Sequence, residues 1–390
     1  MPPVANPLTK VRKRLESCCF GPANFKNLPK DKDKVTDPNA HLSFYRNLVP
    51  IQREIVPKID EALDLACERL GLKRDNVHGF VRANPEINAF CRPGIRGNAV
   101  VFVNSGMIER LSMEELVYVM GHELGHYIMP LPTLSVPDGQ GSTRPASMED
   151  AVVHRKLEIS MDRFGLVACR DLQVACSAAL KIQSGLGAEH IRNDFTVFAQ
   201  ETIKGYVRDY KEYEGEAFSS HPAAYARIRA LYHYSQSEEY LDLIGQKGGR
   251  PHAEVDAEVA KDLDATLDFY AVKLMEEAVE KFSHAVAALH LEMEGKIELS
   301  RHTIERRFTP DAKTVQSLAA DLSSLPPEER PKAASAKFEQ LIHLIINRCP
   351  YTMTAHFEEL LPKLEGTKVH GFASDLAKHF HEGLKAQRGF

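Results

Sequence analysis

The sequence predicts an α+β fold that is mainly helical, with a small antiparallel sheet in its N-terminal half and a helical C-terminal region. Three short runs rich in β-branched and aromatic residues, at 77–83, 87–91 and 99–104, predict the strands. Turn-forming pairs such as Asn-Pro and Pro-Gly separate these runs. Apolar residues recur at spacings of three and four before and after them, which is typical of helices.

The first helix is predicted over about 41–70, because its apolar residues follow the helical spacing and Gly71 is a natural stop. A second helix is predicted to begin at Ser112, where Glu115 three residues later completes a capping box. Its apolar residues continue to about Met129. The strands therefore lie between two helices.

The segment 131–147 is rich in Pro, Gly, Ser and Thr, which predicts a loop. This loop is either a plain connector or a lid. Ser147 then begins a second capping-box pattern, with Asp150 three residues later, and helical spacing resumes. Further helices follow, up to a Gly-Gly-Arg-Pro sequence at 248–251 that indicates a boundary.

The chain is predicted to have three parts. Residues 1–34 carry eight Lys or Arg against three acids and no apolar run typical of a secretory signal, so we expect a flexible basic tail. An arm for an acidic surface and an organelle-targeting peptide are the alternatives. Residues 35–240 form the main domain. Residues 250–390 form a helical region of unknown role, whose first helix carries a stripe of six apolar residues: Val255, Val259, Leu263, Leu267, Tyr270 and Leu274.

The composition excludes several classes of protein. With 390 residues, 43% hydrophobic and 26% charged, the chain is globular and can bury a substantial core. Its formal net charge of -5 gives no reason to expect nucleic acid as a partner. No apolar run approaches the roughly 20 residues of a transmembrane helix. The seven scattered cysteines contain no CxxC pair, which favours reduced thiols and a cytoplasmic location, and nothing in the sequence indicates an oligomeric state.

The motif His-Glu-Leu-Gly-His lies within the helix that begins at Ser112. Four residues at 3.6 per turn place His122 and His126 nearly above one another, so both imidazoles can reach one metal ion. Glu123 lies about 100° further round the helix, where its carboxylate can contact a metal-bound water without being a ligand. The spacing indicates a metal-dependent hydrolase.

A zinc site for hydrolysis needs a third protein ligand and an open position. Glu158 on the next predicted helix fits this role, and Asp162 lies one turn later on the same face. Asp162 is placed to accept an N–H from a ligand histidine. His154, one turn before Glu158, remains an alternative ligand.

These residues resemble the zinc metallopeptidase family of the CaaX prenyl proteases and HtpX-like proteases. The resemblance covers about residues 50–235 and includes the HELGH motif and the Glu158-to-Asp162 spacing. The other matching segments, in the order of the family, are Asn88-Ala89-Phe90, Arg163-Phe164-Gly165, Ser220-His221-Pro222, Arg227-Ile228 and Leu231. The resemblance implies a zincin-like domain. The spanning helices of the membrane members are not evident here, so their substrates do not carry over.

The resemblance implies a role for each residue of the metal centre. His122, His126 and Glu158 would bind one Zn²⁺ per chain. Glu123 would be the general base, and Asp162 would orient a ligand histidine.

Three residues remain outside this metal centre. The resemblance implies that His221 stabilises the oxyanion and that Asn88 lies on the strand edge that holds the substrate backbone. Cys91 is expected to be a packed thiol, since no partner base is identifiable.

The sequence therefore predicts a soluble zinc-dependent endopeptidase acting on peptide or protein substrates. The alternative is a non-catalytic peptide-binding or scaffold protein, with a silent metal site and a functional helical C-terminal region. A third possibility keeps the enzyme but covers its cleft with the tail or the helical region.

Overall fold

The computed structural model describes residues 48–93, 98–129, 147–191 and 221–265, the short strands at 135–137 and 143–145, the helix at 369–388, and scattered positions between these ranges. The helices of these parts are α1 (Pro57–Arg69), α2 (Ser105–Arg110), α3 (Met113–Ile128), α4 (Met148–Cys169), α5 (Leu172–Ser184), α6 (Ala224–Ser235), α7 (Glu238–Leu243), α8 (His252–Ala265) and α9 (Val369–Arg388). Short 3₁₀ helices lie at Arg74–Asn76 and Ala188–His190.

Four strands form one sheet, and the structure corrects its predicted topology. The strands are β1 (Val49–Pro50), β2 (Val77–Arg82), β3 (Ala89–Pro93) and β4 (Ala99–Asn104), in the spatial order β1-β2-β4-β3. The predicted purely antiparallel sheet is wrong, because β2 and β4 run parallel. The connection from β2 crosses the end of β4, where the Gly106 N–H donates to the Asn84 carbonyl, so β3 forms the outer edge and pairs antiparallel with β4.

The first predicted helix is also shortened by the structure. Helix α1 begins only at Pro57, and Val49 and Pro50 pair with β2 instead. Proline at the first helical position favours a start there, since its fixed φ suits a helix and its missing N–H costs nothing. Residues 41–47 of the prediction lie outside the described residues.

Helices α3 and α4 pack closely, and glycine makes the approach possible. A Cβ on Gly125 would lie 2.8 Å from Met161 Sδ, and one on Gly165 would lie 2.7 Å from the ring of Tyr118. A side chain at either glycine would force the helices apart. The core formed by α1, α3, α4 and one face of the sheet therefore holds the predicted metal-binding helices in direct contact.

Helix α8, which follows the predicted boundary, packs against the main domain. Val255 joins the large core, and Val259 and Leu263 pack with residues of α4 and α6. Buried Arg155 of α4 pairs with Asp268 at 2.8 Å, just beyond α8. Three of the six stripe residues are thus buried, and the other three lie outside the described residues. The division into domains at 240–250 stays a prediction.

The segment predicted as a loop contains a short antiparallel pair, β5 (Ser135–Pro137) with β6 (Thr143–Pro145), between α3 and α4. The predictions of a connector or a lid remain untested. In the described part of the chain, no helix is both long and apolar enough to cross a bilayer. The architecture is mostly helical with a small mixed sheet, which agrees with the α+β prediction at that level; the zincin-like assignment stays a prediction.

Candidate metal centre

Helix α3 presents the two histidines of the motif. Its N-terminus is fixed by the predicted capping box, in which the Ser112 N–H donates to the Glu115 carboxylate at 2.8 Å and the Glu115 N–H donates to the Ser112 hydroxyl at 3.2 Å. His122 and His126 lie one turn apart, with ring centroids 5.3 Å apart and nearly perpendicular planes. His122 is buried and His126 is partly exposed. One side of the pair is therefore open.

Helix α4 brings the acidic ligand candidate to this pair. Its start is capped by the Ser147 hydroxyl, which accepts from the Asp150 N–H at 3.0 Å. The Glu158 carboxylate divides its two oxygens between the histidines: Oε2 lies 3.3 Å from His122 Nε2, and Oε1 lies 3.6 Å from His126 Nε2. The contact of α3 with α4 thus completes the constellation.

His122, His126 and Glu158 have ligand atoms within 4.8 Å of one another, and they are the one group of three such residues found among the described positions. Two imidazole nitrogens and one carboxylate oxygen are a donor set that suits zinc with an open fourth position. The residues present therefore fit a catalytic zinc ion. His154, the alternative ligand, is not in this group.

Asp162 lies behind His122. Its Oδ1 accepts from His122 Nδ1 at 3.0 Å and from the Tyr118 hydroxyl at 2.6 Å. Arg227 of α6 adds a two-pronged ion pair, from Nε to Oδ2 at 2.8 Å and from Nη2 to Oδ1 at 2.6 Å. All four side chains are buried. When His122 is neutral, as a metal ligand must be, Asp162 holds its proton on Nδ1 and leaves Nε2 facing Glu158.

The sequence indicates no function for Tyr118 and places Arg227 only within a segment that resembles the family. The one local signal for Tyr118 is its position one turn before His122 on the same face of α3. No local pattern indicates that Arg227, 65 residues from Asp162, reaches the same carboxylate.

The charges of the centre depend on burial and on these partners. Burial alone would lower the pKa of His122, but its hydrogen bonds to Asp162 and Glu158 outweigh this and raise it to about 10. Burial would raise the pKa of Glu158, but the hydrogen bond from His122 and the nearby imidazoles hold it well below its usual range. Burial lowers the pKa of His126 to about 4. Metal binding must displace a proton from His122, so it competes with acid.

Glu123 lies beside the ligand cluster and is also buried. Burial raises the pKa of its carboxyl to about 7, although the nearby His122 and a backbone hydrogen bond from Cys91 of β3 oppose the shift. Because that N–H comes from the edge strand, the carboxylate lies between α3 and the sheet edge. A carboxyl group with this pKa can both accept and return a proton near neutral pH.

Two further histidines, His221 and His154, lie near Glu158. His221 is 62% exposed, and its Nε2 lies 3.7 Å from Glu158 Oε2. His154 is half-buried; burial lowers its pKa, while the charge of Glu158 opposes the shift. The open side of the centre is thus lined by imidazoles.

Asn88 and Cys91 belong to the sheet edge. Asn88 is exposed just before β3, and its carbonyl accepts from the Asn104 N–H at 3.0 Å. Burial raises the pKa of the Cys91 thiol strongly, which disfavours the reactive thiolate and agrees with a packed thiol. Free cysteines are found at each described cysteine position, namely Cys67, Cys91, Cys169 and Cys176.

Comparison with known proteins finds similarity to one family of metallopeptidases over part of the chain. The family model described as "Peptidase family M48" matches residues 55–130, from just before α1 to the end of α3. Over 207 residues, 46% of this chain, the sequence is 24% identical to the plastoglobule-localized metallopeptidase 48, chloroplastic, of Arabidopsis thaliana, of which it covers 57%.

A stretch of 42 residues, 11% of this chain, is 45% identical to protease HtpX of Xylella fastidiosa (strain M12), of which it covers 14%. The chain thus spans less than two thirds of either relative. No solved structure matches the chain.

These matches confirm the predicted resemblance to the zinc metallopeptidase family of the CaaX prenyl proteases and HtpX-like proteases. They support assignment of the chain to the metalloproteases. The roles of the individual site residues and the cytoplasmic location remain predictions.

Proposed function

We propose that this chain is a soluble zinc-dependent endopeptidase in which Glu123 is the general base. The observation that carries the proposal is the convergence of His122, His126 and Glu158, whose ligand atoms lie within 4.8 Å of one another, beside a buried carboxyl group. A purely structural zinc site has no need of a base next to its ligands. The same arrangement suits hydrolysis of a peptide bond.

His122, His126 and Glu158 would hold one zinc ion per chain and leave its fourth position open. When bound there, zinc supplies a Lewis acid that lowers the pKa of a water ligand to about 7 and polarises a carbonyl. Asp162 orients His122 for this role through the hydrogen bond between Nδ1 and Oδ1 at 3.0 Å.

Glu123 performs the proton transfers. Its carboxylate accepts a proton from the water that attacks the scissile carbonyl, and the resulting carboxylic acid returns that proton to the leaving amine. A pKa of about 7, caused by burial, suits both steps near neutral pH. The backbone N–H of Cys91 keeps the carboxylate oriented during the exchange.

His221 is the proposed donor to the developing oxyanion. Its imidazole is exposed and lies 3.7 Å from Glu158, at the open side of the ligand cluster. An N–H donated from there would stabilise the negative charge that appears on the substrate oxygen in the transition state.

The open edge of β3 is the proposed binding site for the substrate backbone. The Asn104 N–H of β4 donates to the Asn88 carbonyl, so by the alternation of an antiparallel pair the backbone groups of Ala89 and the carbonyl of Cys91 face away from β4. The Cys91 N–H is already used by Glu123. An extended peptide can add to this edge as a further strand, with its scissile bond near Glu123. Asn88, exposed at the start of the strand, would contact the same peptide.

The test is zinc analysis and peptide hydrolysis by the purified full chain. We expect one zinc per chain and hydrolysis of unfolded protein substrates that a chelator abolishes and zinc restores. Glu123→Gln should lower kcat by about 10²- to 10⁴-fold while zinc stays bound, because the amide cannot accept the proton of water.

The matched control is Glu114→Gln, the same change at an exposed position of α3. This variant should retain full activity. Zinc-loaded wild-type protein that binds peptides without cleaving them would instead support the scaffold alternative.

A further inference from the structure

One oxygen of Asp162 accepts three hydrogen bonds. The donors to Oδ1 are the Tyr118 hydroxyl at 2.6 Å, Arg227 Nη2 at 2.6 Å and His122 Nδ1 at 3.0 Å. The bond from His122, a residue of the proposed metal centre, is the longest of the three. The other oxygen, Oδ2, accepts from Arg227 Nε at 2.8 Å.

Donors that share one acceptor oxygen compete for its negative charge. A carboxylate strengthens a ligand histidine by accepting its distal N–H, which makes the other ring nitrogen a better donor to the metal. Each additional hydrogen bond to the same oxygen reduces the charge available to the histidine. We propose that Tyr118 is a positioning residue that weakens the hydrogen bond from His122 to Asp162 and thereby lowers the zinc affinity of the centre; this inference rests on the proposed function.

The hydroxyl of Tyr118 is not needed to hold Asp162 in place. Arg227 already donates hydrogen bonds to both oxygens of the carboxylate, and His122 donates a further one. The ring of Tyr118 is held separately, because it packs on the α4 backbone at Gly165, where a Cβ would lie 2.7 Å from its edge. Phenylalanine would keep that packing and remove only the shared hydrogen bond.

A purely structural role and a tuning role predict opposite signs. If the hydroxyl only supports Asp162, its removal loosens the carboxylate and zinc binds more weakly. If the hydroxyl competes with His122, its removal shortens the His122–Asp162 hydrogen bond and zinc binds more tightly. Zinc affinity therefore separates the two roles without any measurement of activity.

The experiment measures zinc affinity by competition with a chromogenic chelator on the full chain. Tyr118→Phe should bind zinc about three- to tenfold more tightly. This change is smaller than the 10- to 100-fold loss of affinity that typically follows removal of a residue that hydrogen-bonds a ligand. The His122 Nδ1–H proton resonance should move downfield in the same variant. Tyr240→Phe, which removes a hydroxyl from another buried tyrosine, should change neither quantity.

A double-mutant cycle locates the effect. In an Asp162→Asn background, Tyr118→Phe should leave zinc affinity unchanged, because the charge for which the donors compete is gone. Weaker or unchanged zinc binding by Tyr118→Phe alone would overturn the proposal.

If Tyr118→Phe does not fold, 3-fluorotyrosine placed at position 118 gives the reverse test. Its hydroxyl is a stronger donor, so zinc affinity should fall, and an equal or higher affinity would overturn the proposal. Failure of the wild-type chain to bind zinc would instead overturn the proposed function on which this inference rests.

Discussion

Among the residues that the structure describes, His122 and His252 each lie between two carboxylates, but only His122 belongs to a group that could bind a metal. His122 lies between Glu158 and Asp162, at 3.3 and 3.0 Å. His252, at the start of α8, lies between Glu239 and Asp256, at 2.9 and 3.0 Å. The carboxylate partners outweigh burial in both cases and raise both pKa values to about 10.

The two sites differ in what surrounds the carboxylates. At His122, a second imidazole one turn along the same helix faces the shared Glu158, and the ligand atoms converge. At His252, no third ligand joins within the described part of the chain, and Asp256 pairs instead with Arg163 of α4 at 2.7 Å. A histidine between two acids is thus not sufficient evidence of a metal site. The decisive feature is a pair of imidazoles on one helix facing a carboxylate on another.

The largest expected contrast is between Glu158, which faces Nε2 of His122, and Glu239, which faces Nδ1 of His252. Glu158→Gln should lower zinc affinity by more than about 100-fold if Glu158 is the proposed ligand, because loss of a residue that only hydrogen-bonds a ligand typically costs 10- to 100-fold. Glu239→Gln, the matched change at the second site, should leave zinc affinity unaltered. Zinc titration of both variants makes the measurement. Equal effects would mean that Glu158 is not a ligand.

A smaller contrast is expected between the second acid of each site. Asp162→Asn should lower zinc affinity by about 10- to 100-fold, because His122 loses its anionic acceptor. Asp256→Asn should leave zinc affinity unchanged. Zinc competition assays on the folded proteins measure the difference, and unchanged affinity in Asp162→Asn would remove this residue from the metal centre.

Both asparagine variants should also lose stability, since each leaves a buried arginine without its anionic partner. Asp162→Asn deprives Arg227 and should cost about 3 kcal/mol or more. Circular dichroism during urea unfolding measures this cost and confirms that the zinc assays used folded protein.

The smallest effect is expected from His252, and it depends on pH. The pKa of His252 is raised in the folded state to about 10 from 6.5, so its contribution to stability is fully present below about pH 6.5 and is lost as pH rises through 10. His252→Gln should therefore cost about 1 kcal/mol at pH 6.

Urea unfolding of His252→Gln and wild-type protein from pH 6 to pH 10 measures this difference, which should shrink as pH rises. A difference that grows with pH would contradict stabilisation of protonated His252 by Glu239 and Asp256. Zinc affinity at a fixed pH should be the same in both proteins.

The sequence by itself determined the local parts of this protein. Helix α3 was predicted from Ser112 to about Met129, and it extends over Met113–Ile128 with the predicted capping box. Ser147 likewise precedes α4 and caps it, with its hydroxyl accepting from the Asp150 N–H. Such features are predictable because capping and apolar spacing depend on residues within one or two turns. The alignment of His122 with His126 follows from helix geometry alone.

Only the tertiary structure decided how these parts meet. The parallel pairing of β2 with β4 depends on which strand lies between the others, and alternation along a strand carries no information about its neighbours. The packing of α3 on α4 brought Glu158 to the histidines, and α6 brought Arg227 to Asp162 from 65 residues away. A buried charge needs a partner of opposite charge, but the sequence does not show which of many distant residues is that partner. The packing of the whole chain selects the one that does.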